Sequence, residues 1–437
     1  MSLDVAALYP QDVQSAASAA LSPLAAGMTG SAILGIASEV RALAAQGVAI
    51  CNLTVGDFDP SQFQVPTTLG TAIGERIAEG QTNYPPSDGL PELRQAVADY
   101  YEAKLGVRFP MGSVVIGSGA RPPLYAAFRC ILSPGDTYVY GLPTWNNEYY
   151  AYLNGADAVA LQTRPEDGFF LTAEALRPHL GRARLVHLNS PLNPCGTVIE
   201  AEALAAICQA IVEENRRREA AGRESVMLLF DMVYWQLTFG DAVHHDPITL
   251  VPEIAPYVLY VDAISKCFAA TGLRVGWGVV PSYLQPKMKA LIGHMGAWSP
   301  RPIQLATATL LRDHATIATY MEGFGAELRE RLDLIFDRFT AMKAEGLPVD
   351  AIPPQGAIYL SIQIGLIGRT TPGGQTLDTN DAIRRYLLDE ARVAVVPFRA
   401  FGLEGESGWF RMSIGAVGVD ELAAGLDRVA AAIRATR

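Results

Sequence analysis

Of the five lysines in this 437-residue chain, one lies where a lysine is unusual. Lys266 comes soon after the apolar run Val258–Val261, at what we predict to be the carboxyl end of a buried strand. Burial lowers the pKa of a lysine amine, which frees it to form a Schiff base with a carbonyl compound. The other lysines lie where we predict helix surfaces: Lys104, Lys287, Lys289 and Lys343. For Lys266 alone, a surface lysine beside a structural ion pair is an equally good interpretation.

Two other segments have the chemistry of an anion site. Arg274 lies eight residues after Lys266, and a guanidinium matches a phosphate with two parallel hydrogen bonds. Residues 115–123 have the pattern of a strand, a glycine turn at Gly119 and a helix start that tolerates Pro122 and Pro123. Free N–H groups and the helix dipole make such a start attractive to phosphate. By itself, this turn is equally consistent with a plain junction between strand and helix.

Polar residues also follow other apolar runs. Asp231 ends the run 226–230, and a buried acid needs a charged or hydrogen-bonded partner. An Asn/Pro-rich loop at 189–197 follows the run Arg184–Leu188, and Trp145 follows the run Thr137–Gly141. Without further context, Asp231 is also suited to cap a helix and Trp145 to fill the core.

Together these segments resemble the pyridoxal-phosphate-dependent aminotransferases of fold type I, the class I/II family related to aspartate aminotransferase. The resemblance runs from about residue 30 to the C-terminus, in the family's order and spacing. Its most specific parts are the lysine segment 264–276 and the loop 189–196, NSPLNPCG, which is similar to the family's N-x-P-x-N-P-x-G motif. The resemblance implies that pyridoxal 5'-phosphate is held as a Schiff base on Lys266.

The resemblance also implies a role for each residue of the cofactor site. The cofactor phosphate would be bound by Gly119, Ala120 and Arg121 through their backbone, by Ser265 and Arg274, and by Tyr84 of the other subunit. The ring would be held by Trp145 stacking on its face, by Asn193 and Tyr234 at its phenolic oxygen, and by Asp231 at its nitrogen. Lys266, Asp231 and Tyr234 would be the catalytic residues.

Three residues are implied at the substrate. The segment 408–413 resembles the strand whose arginine, here Arg411, pairs with the substrate's α-carboxylate. A guanidinium suits a carboxylate better than an ammonium does, although a salt bridge on the strand face is the alternative for this arginine. Gly56 matches a glycine whose backbone passes the same carboxylate, and Asn193 completes the group. The resemblance further predicts cis peptide bonds at Leu142-Pro143 and Asn193-Pro194.

The chain departs from the family pattern at several positions. The substituted residues are Cys195, Met232, Ala263 and Phe398. The region around Gly293 lacks the arginine that binds the distal carboxylate in the dicarboxylate-specific branch. We therefore expect an enzyme that is not strictly specific for aspartate or glutamate. Arg301 and Arg399 are candidates to replace that arginine, but exposed ion pairing is the simpler interpretation of both.

Composition excludes several classes of function. The net charge is 34 − 45 = −11 without a long basic run, which argues against a nucleic-acid or anionic-membrane surface. No run approaches the ~18 apolar residues of a membrane span, and the N-terminus lacks a signal-peptide pattern. Five scattered cysteines without a CxxC pair are typical of a reduced cytoplasmic protein without a zinc site. His244-His245-Asp246 is better interpreted as a polar loop than as a metal site.

Apolar runs alternate with helix-period stretches between residues 110 and 280. This pattern predicts an α/β fold with a mostly parallel seven-stranded sheet sandwiched by helices. After Pro300, a long helix at Ile317–Glu345 and three short strands predict a smaller α+β domain. The expected division is an N-terminal arm joining the small domain (1–55), a large cofactor domain (56–299) and the small domain (300–437). The predicted strands are Val114–Gly117, Thr137–Gly141, Ala158–Gln162, Arg184–Leu188, Val226–Phe230, Val258–Val261 and Val275–Val280, then Ala357–Ile362, Val393–Val396 and Trp409–Ile414.

We therefore expect a homodimeric aminotransferase that moves an amino group from an L-amino acid to a 2-oxo acid in ping-pong order. A β- or γ-lyase or a decarboxylase of the same fold stays open, because the cofactor motifs do not decide which bond breaks. A non-catalytic ligand sensor is disfavoured, since relatives of that kind carry a DNA-binding domain first, and only about thirty residues precede the resemblance here. The motifs identify neither the amino donor nor the acceptor.

Overall fold

The structure, a computed structural model, describes residues 3–9 and 12–437. Its strands, in chain order, are β1 Cys51–Asn52, β2 Val114–Gly117, β3 Thr137–Leu142, β4 Asp157–Gln162, β5 Ala183–Asn189, β6 Met227–Asp231, β7 Val258–Ala263, β8 Gly276–Val279, β9 Val349–Ala351, β10 Tyr359–Ile364, β11 Val393–Ala394, β12 Val396–Pro397 and β13 Trp409–Ser413. Seven of them form the central sheet, in the order β2-β8-β7-β6-β5-β3-β4. β8 is antiparallel to both neighbours and the other pairs are parallel. The predicted α/β fold is therefore confirmed.

Helices cover both faces of this sheet, which explains why its strands are apolar at nearly every position. Neighbouring residues of a strand point to opposite faces, so Leu228 belongs to one core and Leu229 to another. The edge strand β4 is mostly exposed. The helices are α1 Val13–Ala20, α2 Pro23–Ala26, α3 Ala32–Ala45, α4 Thr67–Ala78, α5 Pro91–Leu105, α6 Arg121–Ile131, α7 Asn147–Asn154, α8 Ala173–Leu180, α9 Ala201–Ala220, α10 Pro247–Leu250, α11 Ile264–Cys267, α12 Gln285–Met295, α13 Arg301–Arg312, α14 His314–Ala344, α15 Asn380–Tyr386 and α16 Val419–Ala435.

A second sheet, β12-β13-β10-β9, is antiparallel and packs with α14 and α16 around its own core. The long helix α14 begins at His314, three residues before the predicted start. The side chain of Asp313 accepts a hydrogen bond from the N–H of Thr316 at 3.0 Å and caps the helix there. The predicted strand Val393–Val396 is divided between β11 and β12.

The N-terminal segment packs against the central sheet and against the C-terminal part of the chain. Ile33 of α3 joins the core of the central sheet, while Val40 packs with Leu388 and Ala394. β1 pairs in parallel with β11, which connects the chain after α3 to the C-terminal part. The domain boundaries at residues 55 and 299 remain a prediction. Within the described residues, no helix combines the length and apolar character needed to cross a bilayer.

Candidate active site

The carboxyl ends of β5, β6 and β7 open into a cavity of about 480 Å³, the place where parallel sheets bind ligands. Most of the residues selected from the sequence line it. They are Gly56, Ala120, Arg121, Trp145, Asn193, Asp231, Tyr234, Ser265, Lys266, Arg274 and Arg411. Gly119 lies just behind the wall, against Arg274. Tyr84 lies apart from the cavity and is 81% exposed.

Lys266 lies in α11, which begins directly after β7. Its Nζ donates a hydrogen bond to the carbonyl oxygen of Gly56. Desolvation is the main cause that lowers the pKa of this amine from 10.5 to about 8, opposed by the Asp57 carboxylate and assisted by three nearby arginines. A large fraction of the amine is therefore neutral near pH 8, as a nucleophile requires.

Asp231 ends β6 and faces the cavity. Its Oδ1 accepts a hydrogen bond from the N–H of Val233 at 3.2 Å. Desolvation raises the pKa of the carboxyl from 3.8 to about 7. Within the described part of the chain it has no cationic partner, so the arrangement suits a positively charged ring nitrogen in the cavity.

The turn between β2 and α6 forms one end of the cavity. Gly119 has φ +84°, and a Cβ at this position would collide with the guanidinium of Arg274. Arg274 donates hydrogen bonds to the carbonyls of Thr271 at 2.7 Å and Ser118 at 3.1 Å. A guanidinium, the start of α6 and the nearby Ser265 thus converge on a place with the chemistry of a phosphate site.

Arg411 of β13 is only 1% exposed. Its Nη1 donates to Oδ1 of Asn193 at 3.1 Å and its Nη2 to the carbonyl of Thr54 at 2.6 Å. The guanidinium carbon lies 4.6 Å from the ring centre of Tyr359 and 4.8 Å from that of Phe401. Its Nε has no hydrogen-bond partner among the described residues. The strand-face salt bridge is therefore not formed, and the buried charge is suited to an incoming carboxylate.

Trp145 and Asn193 lie on loops with cis-prolines. Leu142-Pro143 and Asn193-Pro194 are cis, as predicted, and Ser190-Pro191 is also cis, which was not predicted. The N–H of Asn193 donates to Oδ1 of Asn189 at 2.8 Å, which fixes the loop under the cavity. Trp145 lines the cavity with one face 4.4 Å from the guanidinium carbon of Arg121.

Tyr359, which was not among the predicted site residues, also lines the cavity, and its hydroxyl lies 2.8 Å from that of Tyr234. The same hydroxyl would lie 2.6 Å from a Cβ at position 56, which explains why Gly56 has no side chain. A tyrosine inside an apolar strand looks like any core aromatic, so no local signal identifies it. The other lining residues that we did not predict include Arg41, Asp57 and His187.

The arginines proposed to bind a distal carboxylate lie outside the cavity lining. Arg301 donates to Oε1 of Gln81 at 2.9 Å, and Arg399 forms an ion pair with Glu406 at 2.7 Å. Arg41 and Arg121 line the cavity instead. No group of three potential metal ligands occurs in the part of the chain that the structure describes. In the loop predicted to be polar, His244 is in fact enclosed, with its ring 5.9 Å from that of Phe230.

The cavity fits pyridoxal 5'-phosphate by its chemistry. Its polar groups comprise an amine of low pKa, an acid without a cation and a phosphate-type cradle. These are the partners of an aldehyde, a pyridine nitrogen and a phosphate, respectively. Lys266, Asp231 and Arg274 would hold these three groups.

Comparison with known proteins is consistent with this chemistry. The family model described as aminotransferase class I and II matches residues 48–429. An aspartate aminotransferase of Rhizobium meliloti (strain 1021) is 30% identical over 407 residues, covering 92% of this chain and 93% of that protein. A crystal structure of the aspartate aminotransferase from Rhizobium meliloti has a TM-score of 0.86 at 27% identity, covering 95% of this chain and 99% of that one. The aspartate aminotransferase from Thermus thermophilus with maleate has a TM-score of 0.82 at 26% identity, covering 94% and 99%.

The expected resemblance is thereby confirmed. Relatives in this family use pyridoxal 5'-phosphate and act on amino acids and 2-oxo acids. Both the family match and the structural likeness extend over nearly the whole chain. The chain belongs to the aminotransferase class I and II family and is a pyridoxal-phosphate-dependent aminotransferase.

Proposed function

We propose that this aminotransferase uses Lys266 as its cofactor-binding amine and proton carrier, Asp231 as the partner of the ring nitrogen and Arg411 as the partner of the substrate carboxylate. One observation carries the proposal. A single cavity contains a lysine of lowered pKa, an acid without a cation and a buried guanidinium without a carboxylate. Burying each of these three groups without a partner costs free energy. That cost is offset when an aldehyde, a cationic ring nitrogen and a carboxylate, respectively, enter the cavity.

Pyridoxal phosphate, when bound, supplies an aldehyde that condenses with amines and a cationic ring that withdraws electrons from the substrate's α-carbon. The Nζ of Lys266 takes the α-proton as a general base and returns it as a general acid. The Gly56 carbonyl accepts a hydrogen bond from Nζ and so holds the amine at one place in the cavity lining. A pKa of about 8 lets the same amine serve in both directions near neutral pH.

The remaining residues orient the two bound molecules. Trp145 would stack on the ring face. Asn193, whose Oδ1 accepts a hydrogen bond from Arg411, would donate to the phenolic oxygen. The hydroxyl of Tyr234, 2.8 Å from that of Tyr359, would donate to the phenolic oxygen. Ser265 and the turn before α6, with Gly119, Ala120 and Arg121, would bind the phosphate through hydroxyl and backbone N–H groups.

For the substrate, we infer a preference for amino acids and 2-oxo acids that carry a second carboxylate. Arg411 would bind the first carboxylate, and Arg121, exposed at the cavity and stacked on Trp145, would reach the second. Arg41 of α3 adds another positive charge to the same lining. Relatives with the names of aspartate aminotransferases, one of them with maleate, support this inference. The expectation drawn from the region around Gly293, that the enzyme is not strictly specific for aspartate or glutamate, stays a prediction.

We further infer a homodimer in which Tyr84 reaches the phosphate site of the partner subunit. Tyr84 is highly exposed, with its ring 5.4 Å from that of Trp298. The N-terminal arm also exposes large apolar side chains, which mark contact surfaces in soluble proteins. They are Leu3, Val5, Leu8, Tyr9, Leu21, Leu24, Met28 and Leu34. A two-fold arrangement would complete both sites at once.

The five free cysteines support a cytoplasmic location.

The proposed activity is tested by supplying the reconstituted enzyme with a panel of L-amino acids and measuring both the 2-oxo acid formed and the pyridoxamine phosphate produced. We expect aspartate and glutamate to react fastest and a 2-oxo acid acceptor to be required for turnover. Release of ammonia or carbon dioxide without an acceptor would contradict transamination.

The substrate preference is tested by Arg121→Gln, with Arg399→Gln as the matched control outside the cavity. Loss of a charge-assisted hydrogen bond lowers kcat/KM by about 10- to 100-fold. We expect this loss for aspartate, with kcat/KM for alanine changed less than about 3-fold and the control variant unchanged. An equal loss for both substrates would refute the role of Arg121.

A further inference from the structure

A buried histidine borders the cofactor cavity, and none of the proposed cofactor-binding or substrate-binding roles falls on it. His187 lies on β5, two residues before Asn189, and is 5% exposed. Its Nδ1 lies 2.8 Å from the hydroxyl oxygen of Tyr138. Its Nε2 is buried and has no hydrogen-bond partner among residues 3–9 and 12–437. A buried polar atom of this kind costs stability unless a partner binds it.

The protonation state of His187 follows from its contact with Tyr138. The Tyr138 hydroxyl is enclosed, and in the described part of the chain its one side-chain contact within hydrogen-bond distance is His187 Nδ1. A buried hydroxyl hydrogen needs an acceptor, so the hydroxyl donates and Nδ1 accepts. Desolvation lowers the pKa of the imidazole to about 3, and the neutral ring must then carry its hydrogen on Nε2. His187 therefore presents an N–H donor to the cavity.

A second unsatisfied atom belongs to a residue that lines the same cavity as this donor. Asn147 of α7 donates through Nδ2 to the hydroxyl of Thr144 at 2.8 Å, but its buried Oδ1 accepts no hydrogen bond in the described structure. Thr144, Asn147, His187 and Asn189 line both the large cavity and a small one of about 20 Å³. That volume holds about one water molecule, which requires two to four polar partners.

Asp231 lies on the same side of the sheet. In the parallel pairing of β5 and β6, Asn189 is opposite Asp231 and His187 is opposite Leu229. Since alternate residues share a face, the side chains of His187, Asn189 and Asp231 point to one side. Among the residues that the structure describes, the Asp231 carboxylate accepts a single hydrogen bond, from the N–H of Val233. It therefore has acceptor capacity left. Asp231 lines the large cavity together with His187 and Asn147, but it does not line the small one.

We propose that His187 is a positioning residue for Asp231, acting through one water molecule that accepts from His187 Nε2–H and donates to Asn147 Oδ1 and to the Asp231 carboxylate. The water satisfies both orphaned atoms and gives the carboxylate a further hydrogen bond, which keeps it ionised and aimed at the ring nitrogen. The inference depends on the proposed role of Asp231.

The experiment measures the dissociation constant of pyridoxamine phosphate from the apoenzyme, because this ligand binds without a covalent link to Lys266. His187→Phe removes the donor and retains a flat ring, and His187→Gln retains an N–H donor. His244→Phe is the matched control, since His244 is also an enclosed histidine with unpartnered ring nitrogens but lies outside the cavity lining. Each variant is made in the wild-type chain and in Asp231→Ala.

In the wild-type chain, we expect His187→Phe to weaken pyridoxamine phosphate binding by about 10-fold, with His187→Gln restoring most of the affinity and His244→Phe leaving it unchanged. In the Asp231→Ala chain, His187→Phe should have less than a 2-fold effect, because coupled residues are not additive. The inference is overturned if His187→Phe weakens pyridoxamine phosphate binding by the same factor in the wild-type chain and in the Asp231→Ala chain. It is also overturned if His187→Phe and His187→Gln weaken this binding equally. If the single variant Asp231→Ala binds pyridoxamine phosphate as tightly as the wild-type chain does, the proposed role of Asp231 is overturned instead.

If His187→Phe fails to fold, Tyr138→Phe serves as the second variant. It removes the hydrogen that fixes the tautomer and leaves the imidazole in place. We expect weaker binding in the wild-type chain and no change in Asp231→Ala. Unchanged binding in the wild-type chain would overturn the inference.

Discussion

Replacing Lys266 with methionine should make the apoenzyme more stable at neutral pH. The pKa of the amine falls from 10.5 to about 8 in the folded chain, and one pKa unit corresponds to ~1.4 kcal/mol. The charged amine therefore costs up to ~3 kcal/mol of folding free energy. Its partial exposure to the cavity screens part of this cost, and the lost hydrogen bond to Gly56 is worth ~1 kcal/mol. We expect a net gain of about 1–2 kcal/mol for Lys266→Met at pH 7.

The direction of the pKa shift also determines how the stability of the wild-type apoenzyme changes with pH. Because the folded pKa lies below the unfolded pKa, the unfolded chain holds one more proton than the folded chain between about pH 8 and pH 10.5. Wild-type stability at this site therefore rises with pH in that window, and the penalty is fully present below it. The advantage of Lys266→Met should fall by about 1–2 kcal/mol between pH 7 and pH 9.5.

The assay is urea unfolding of both apoenzymes at one protein concentration, followed by circular dichroism at pH 7 and pH 9.5. Lys104→Met is the control, because Lys104 is an exposed lysine at the end of α5. Its free energy of unfolding should stay within about 0.5 kcal/mol of wild type. A Lys266→Met apoenzyme that is less stable at pH 7, or a gain that is equal at both pH values, would refute the reasoning.

Three other outcomes are expected. Lys266→Ala should yield no borohydride-fixed cofactor adduct by mass spectrometry; a fixed adduct on another lysine would remove Lys266 from its role. Arg411→Ala should raise KM for every amino donor, equivalent to about 2–5 kcal/mol for a desolvated pair, with Arg411→Lys a poor rescue; unchanged kinetics would place the carboxylate elsewhere. Tyr84→Phe should weaken phosphate retention by about 0.5–1.5 kcal/mol, measured as the off-rate of the cofactor; a fully active monomer by light scattering would contradict the shared site.

Most of the central sheet was predictable because its strands are apolar on both faces and are interrupted by helix-period stretches. The ends of β3, β6 and β7 extend one or two residues beyond the predictions, to Leu142, Asp231 and Ala263. Polar or small residues at or just before these ends stop a hydrophobicity pattern before the hydrogen bonding stops: they are Gly141 in β3, Asp231 in β6 and Asp262 in β7. The start of α14 depended on a cap at Asp313, which the periodicity of the helix does not register.

The candidate site was predictable where a motif surrounds the residue, as for Lys266 and Asn193. It was not predictable where a single side chain enters from a distant strand. Tyr359 and His187 both lie within apolar strands, so their local pattern is that of the core. Their relation to the site follows from contacts with Tyr234 and Tyr138 that strand pairing and packing create. Tyr84 is a different case, since its expected contact requires a second chain.

One short stretch of backbone limits the distance between the amino group and the carboxylate of a substrate. The carbonyl of Thr54 accepts from Arg411 and the carbonyl of Gly56 accepts from Lys266. Two residues apart, the α-carbons that carry these carbonyls are separated by at most ~7 Å. The lysine amine, where the cofactor aldehyde would be held, and the carboxylate-binding guanidinium are thus tied to one another at a set spacing, independent of the rest of the cavity. We expect this spacing to admit substrates with one carbon between nitrogen and carboxylate, and to discriminate against β-alanine and longer ω-amino acids whatever their side chains.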